Sequence, residues 1–242
     1  MTTNDEIESR IEFDAYAARY SELLHDPLRS CFAPNDGAFH ERKLAVLMRL
    51  LARAGVDPAT QAWLDVGCGQ GTFLDLAGPN FGRAVGCDPS KEMLLPAARF
   101  SRILQPSPTS LPFPDHSFDL VTVVCVYHHV EEDAQTPLAR EIKRVLKPRG
   151  LCCVIEHNPC NPVTRLIVKR CSIDANAHLL TSFTVKQLFA QTGFLILDTE
   201  YFLYLPQFIF RSFGAVERAL RRFPYGGQYA VLMQAGYPTG TN

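Results

Sequence analysis

Trp63-Leu64-Asp65-Val66-Gly67-Cys68-Gly69-Gln70-Gly71 decides how the rest of this chain is read. A short apolar run, Ala62-Trp63-Leu64, leads into Asp65, after which Gly67, Gly69 and Gly71 alternate with Cys68 and Gln70. Glycines at this spacing let a chain leave a buried strand, turn sharply and pass a ligand with no Cβ in the way. From Thr72 to Ala77 a helix begins, and its free N–H groups face back toward the loop. Strand, glycine loop and helix together make the ligand cradle of a doubly wound α/β sheet.

A second stretch, Val85-Gly86-Cys87-Asp88-Pro89-Ser90, supports that reading. Arg83 to Cys87 predicts a second strand, with Asp88 at its C-terminal end, 88 − 65 = 23 residues after Asp65. An acidic residue about 20 positions beyond a glycine loop is placed to hold a ribose diol. Ser90 is expected to cap a following helix, with Glu92 in its first turn. A dinucleotide fingerprint reads G-x-G-x-x-G; here the third glycine comes one residue sooner. D-V-G-C-G-Q-G followed by G-C-D-P-S resembles the class I, Rossmann-like methyltransferases that depend on S-adenosyl-L-methionine (SAM). The competing reading is a nucleotide-binding loop of another kind.

The resemblance implies SAM as cofactor and S-adenosyl-L-homocysteine as product. It implies acceptors for the methionine ammonium near the loop, and Asp88 for the ribose. The cofactor contacts expected on this basis are Tyr20, Asp65, Gly67, Cys68, Gly69, Gly71, Asp88, Pro89, Met93, Ser110, Leu111 and Cys125. Relatives usually carry an acidic residue where this chain has Ser107, so backbone groups around Thr109 to Leu111 are expected to meet the adenine instead.

Composition narrows the partners. At 242 residues and 47% apolar content, one domain of about 200 residues plus appendages is expected. A net charge of −1 gives no footing for a polyanion, so no nucleic-acid partner is expected. Eight cysteines without a C-x-x-C pair read as reduced, mostly buried thiols of a cytoplasmic protein rather than disulfides or metal ligands. No apolar run approaches the ~20 residues of a membrane span. A monomer or a homodimer fits equally.

Outward from the loop, the expected architecture is α/β. It has a Rossmann-like, seven-stranded, mostly parallel sheet with an antiparallel last hairpin and helices on both faces. Residues 1–55 form an N-terminal helical lid and 56–242 the SAM-binding domain, with acceptor-site insertions at about 157–182 and 206–223. Apolar residues at helical spacing predict an amphipathic helix over 6–24. Within it, Phe13-Asp14-Ala15-Tyr16-Ala17-Ala18-Arg19-Tyr20 resembles the F-D-x-x-A-x-x-Y segment of ubiquinone-biosynthesis-type methyltransferases. That helix lids the cofactor in the family; alternatively Tyr16 and Tyr20 only dock it on the core. A second helix is expected from His40 to Ala54 and another over 90–99. A turn is expected at Lys147-Pro148-Arg149-Gly150, and a helix capped by Thr184. Over 206–223, aromatic residues interleave with Arg211, Arg218, Arg221 and Arg222, which suits packing over the pocket, a dimer contact or a membrane surface.

Methyl transfer from a sulfonium is an in-line displacement in which positioning supplies most of the acceleration. A hydroxyl acceptor also gains from a general base. Tyr127-His128-His129 closes the fourth strand, where ligands of open α/β sheets bind. His129, then His128, and His157 at the end of the fifth strand are the catalytic candidates, with His178 further along the chain. At most one of them is expected to act as the base. No spacing suggests a metal site. The function expected is methylation of a small molecule at a hydroxyl. Alternatives are a quinone- or lipid-type C- or O-methyltransferase, or a SAM-binding protein without catalysis.

Overall fold

The computed structural model describes residues 13–33 and 35–236. Seven strands form one sheet: β1 (Ala62–Val66), β2 (Arg83–Asp88), β3 (Ser101–Leu104), β4 (Phe118–Val124), β5 (Leu146–His157), β6 (Phe194–Phe202) and β7 (Gln228–Ala235). Their order is β3-β2-β1-β4-β5-β7-β6. β7 pairs antiparallel with both neighbours, and the other pairs are parallel. The longer helices are α1 (Pro27–Phe32), α2 (Asp36–Arg53), α3 (Thr72–Ala77), α4 (Glu132–Val145), α5 (Pro162–Arg170), α6 (Ser182–Gln191) and α7 (Gln207–Ala219).

Strand periodicity explains why the sheet is covered twice. Successive side chains alternate faces, so Leu64, Val121, Val123, Val154 and Val231 join Leu138 and Ile142 of α4 and Val185 and Phe189 of α6 in one core. Trp63, Leu120, Cys153, Ile155 and Leu232 join Leu47, Leu50 and Leu51 of α2 and Phe73 and Leu74 of α3 in the other. A strand buried on both faces must be largely apolar, as β4 is apart from Asp119 near its start and Thr122, whose hydroxyl is hydrogen-bonded. All eight cysteines are free. No helix among the described residues is long and apolar enough to cross a membrane.

Several local expectations are corrected. The helix foreseen over 90–99 is a single turn, Glu92–Leu94. Ser90 Oγ does accept from Met93 N–H at 3.2 Å. Beyond it, the Arg102 guanidinium takes the carbonyls of Met93, Leu94 and Pro96, and Pro96 has no N–H with which to continue the helix. α2 starts earlier than foreseen, at Asp36, because Asn35 caps it by accepting from Ala38 N–H at 2.9 Å. Asp26 caps the unforeseen α1 through the N–H groups of Leu28 and Arg29. α6 is capped by Thr181 rather than Thr184. The turn expected at 147–150 is an excursion within β5, with Arg149 at φ 64°. The helix expected over 6–24 is interrupted at Ala17–Arg19 by a 3-10 turn, and its first part lies outside the described residues.

α7 is bent at Phe213, whose φ of −119° is not helical. It is held by buried Glu217, which pairs with buried Arg42 of α2 and accepts from the N–H groups of Tyr204 and Leu205, both at 3.1 Å. Removing one partner of a buried pair leaves the other charge unpaired, at a cost of about 3–5 kcal/mol. Glu217→Ala is therefore expected to destabilise the fold by that amount, read from urea unfolding. An unchanged unfolding midpoint would show that Glu217 does not anchor α7.

Candidate active site

The glycine loop leaves β1 with Gly67, Gly69 and Gly71 at φ 70°, 52° and 85°. The N–H groups of Gly67 and Cys68 both donate to Cys87 O, at 2.8 and 3.0 Å, which ties the loop to the end of β2. Asp88 continues that tie: one carboxylate oxygen accepts from Gly69 N–H at 2.8 Å and the other from Ser90 N–H at 2.9 Å. Asp65 is buried beneath the loop and accepts from the Thr122 hydroxyl at 2.6 Å, which in turn accepts from Trp63 Nε1. Burial pushes the Asp65 carboxyl up to about 7 and the Asp88 carboxyl to about 6. The N-terminal segment closes over this half. Gln70 Nε2 donates to Ala17 O at 2.9 Å, and Asp14 receives Ser90 Oγ and the Glu92 N–H.

At the end of β4 the chain turns through Cys125, at φ 57°, into the short 3-10 turn Tyr127–His129. Burial disfavours the Cys125 thiolate, yet the Lys43 ammonium, 3.3 Å from Sγ, and His157 bring the thiol down to about 7. His128 is buried, and its Nδ1 lies 2.5 Å from Glu156 on β5. The same carboxylate accepts from the N–H groups of Val126 and Tyr127 at 2.9 and 2.7 Å. Burial opposes the His128 cation, but the Glu156 and Asp174 carboxylates carry its pKa up to about 10. The His129 ring lies tilted against that of His128, with centroids 4.1 Å apart, and meets Phe13 edge to face at 5.0 Å. Burial pulls the His129 ring below the ordinary histidine value.

Both halves line a single cavity of about 1090 Å³, at the top of the ~300–1,000 Å³ range of small-molecule sites. Tyr20, Asp65, Gly67, Cys68, Gly69, Asp88, Pro89, Met93 and Cys125 reach it, and so do His128, His129 and His157. Three expected contacts do not line it. Gly71 is instead the left-handed residue that starts α3. Leu111 gives its N–H to Glu141 at 2.9 Å, and Ser110 gives its own to Ser107 O at 3.2 Å, so neither backbone donor is free for an adenine. Gln105, Pro108 and Thr109 border the cavity there. His178 is not among the lining residues; its N–H donates to His128 O at 2.8 Å. Of the two expected insertions, 157–182 supplies His157, Asn161, Thr164 and Asp174 to the wall, whereas 206–223 supplies none. Phe208 and Phe213 of α7 are exposed, and Phe210 lies 3.8 Å under the Arg42 guanidinium. Lys43, Glu156 and Asp174 were missed because nothing in their local sequence marks them.

Residues 64–154 match a family model described as a methyltransferase domain. That span runs from the glycine loop to β5. This part of the chain is similar to methyltransferase domains, and the whole described fold is that of the SAM-dependent methyltransferases of known structure. Over 109 residues it is 35% identical to an uncharacterized methyltransferase, YcgJ, of Bacillus subtilis, covering 41% of this chain and 42% of that protein. Over 165 residues it is 30% identical to the ubiquinone/menaquinone biosynthesis C-methyltransferase UbiE of Hahella chejuensis, covering 62% of this chain and 60% of that one. The chain thus spans less than two thirds of the length of either relative. A Thermotoga maritima SAM-dependent methyltransferase, a possible histamine N-methyltransferase, superimposes with a TM-score of 0.67 at 17% identity, over 93% of this chain and 99% of that one. At that identity it speaks for the fold alone.

The residues present fit the cofactor: a tight glycine turn that a side chain would fill, with the Asp65 carboxyl buried beneath it and the Asp88 carboxyl tied to it. Asp88→Ala removes both the carboxylate and the Gly69 tie, and SAM affinity measured by calorimetry is expected to fall by about 10- to 100-fold. Unchanged affinity would show that Asp88 only supports the loop. Because the Asp65 and Asp88 carboxyls titrate at about 7 and about 6, a ligand that requires their ionised forms binds best above pH 7. Its affinity is expected to fall as the pH drops through both values, as titrations on either side of neutrality would reveal. A flat profile would mean that neither ionised carboxylate contacts SAM.

Proposed function

We propose that this protein transfers the methyl group of SAM to a hydroxyl of a small-molecule acceptor. The observation that carries the reading is a single cavity lined both by the glycine loop and Asp88 and by His128, His129 and His157. When bound, SAM supplies an electrophilic methyl on its sulfonium. The chain's own part is to hold the acceptor in line and activate its oxygen. Asp65, Asp88 and the loop would keep the cofactor, with Tyr20 and Met93 at its sides. Phe13, Tyr20 and Leu24 of the N-terminal segment also line the cavity, which supports a lid that keeps water from the methyl. Segment 157–182 would shape acceptor choice. Activation of the hydroxyl is assigned to the histidine cluster, led by His129, whose side chain keeps 19% of its surface open against 1% for His128.

The test is to supply SAM with a panel of hydroxylated small molecules and look for a product heavier by one methyl group. Transfer only to nitrogen acceptors would overturn the hydroxyl assignment. SAM binding with no transfer to any acceptor would favour a binding protein. The similarity to UbiE favours a second reading, methylation of a quinone-type ring carbon. A product whose methyl resists ether cleavage would identify it.

A further inference from the structure

Asp174 lies far along the chain from His128 and His129, yet the fold places all three at one point of the cavity wall. One ligand atom from each falls within 4.8 Å of the others. Asp174 Oδ1 is 3.6 Å from His128 Nε2 and 3.4 Å from His129 Nε2. Both separations exceed the usual range of an N–H···O hydrogen bond. Two donors that each sit about 2.1 Å from one ion at a tetrahedral angle lie about 3.4 Å apart.

The surroundings are those of a built site. Glu156 holds His128 Nδ1 at 2.5 Å, which leaves Nε2 to face Asp174. A carboxylate on the far nitrogen is the usual way a metal-bound imidazole is oriented. Asp174 is held from its own side as well: its N–H donates to Cys171 O at 3.2 Å, and the His178 N–H donates to His128 O at 2.8 Å, which ties the 171–178 loop across the histidines.

We propose that His128, His129 and Asp174 form a binding site for a divalent first-row transition-metal ion at the acceptor end of the cavity. Two imidazoles and one carboxylate suit zinc, iron(II), cobalt(II) or manganese(II), and three protein ligands leave positions for other oxygens. On the reading that a hydroxyl is methylated, on which this role rests, the ion takes the acceptor oxygen and eases its ionisation. The metal site itself stands apart from that reading.

Cobalt(II) and zinc(II) salts are the probes, titrated into the chelator-treated full chain and followed by visible absorption and calorimetry. The expected result is one equivalent bound, with a spectrum that lacks thiolate charge transfer. Binding is expected to weaken at least tenfold in Asp174→Asn and in His129→Gln, and by about 10- to 100-fold in Glu156→Gln. It is expected to persist in Cys171→Ser. SAM titrations of each variant separate a lost site from a lost fold. The proposal is overturned if the wild-type chain binds neither ion, if the Asp174 and His129 variants bind as wild type, or if binding follows Cys171. Metal binding in a chain that never transfers a methyl group would instead defeat the function proposed above and leave the site standing.

Discussion

Gly67→Val is expected to abolish SAM binding, and methyl transfer with it. Two effects combine. The backbone at Gly67 has φ 70°, a conformation that a β-branched residue adopts only under strain. An added Cβ would also lie 2.4 Å from Val126 Cγ2 and 3.1 Å from Cγ1. Val126 N–H is fixed to Glu156, so the loop would have to move instead, breaking the Gly67 and Cys68 bonds to Cys87 O. Calorimetry with SAM and with NAD, alongside a urea unfolding curve, tests the claim. Binding retained within a few-fold would show that the loop keeps its distance from the cofactor. Tight NAD binding with no SAM binding in the unsubstituted chain would overturn the cofactor assignment itself.

The second large effect is on the acceptor side. His129→Ala is expected to lower kcat by about 10²–10⁴-fold, the usual scale for losing activation of the reacting oxygen, while SAM affinity stays the same. The dissociation matters: His129 lines the cavity, where it meets His128, Phe13 and Asp174. His157→Ala serves as the comparison. If neither change lowers kcat, positioning alone drives transfer and the histidine wall has another purpose. A parallel loss of SAM affinity would mean that His129 supports the N-terminal segment through Phe13.

Much of the fold is legible locally. Alternating apolar residues mark the strands, and Gly67, Gly69 and Gly71 mark the loop, because strand pleat and left-handed turns constrain residue type within a few positions. Asp88 is legible for a related reason: a strand–helix–strand unit has a nearly constant length, so its end can be counted from the loop. Errors fell where a remote side chain competes for local backbone groups. Arg102 takes the carbonyls that a helix after Ser90 would need. Glu141 takes the Leu111 N–H expected to serve the adenine.

The sequence by itself determined a Rossmann-like, mostly parallel sheet, its glycine loop and the three histidines at the strand ends, since each depends on spacing within a single unit. Only the tertiary structure decided what those histidines meet. Glu156 faces His128 because β5 lies beside β4, in a register that pairs Val124 with Ile155. Asp174 reaches the same ring because the loop after α5 folds back over the turn at the end of β4. Lys43 arrives at Cys125 from α2, a helix packed on one face of the sheet. Such meetings are set by strand order and by which face each helix covers, and those are properties of the packed whole rather than of any window of residues.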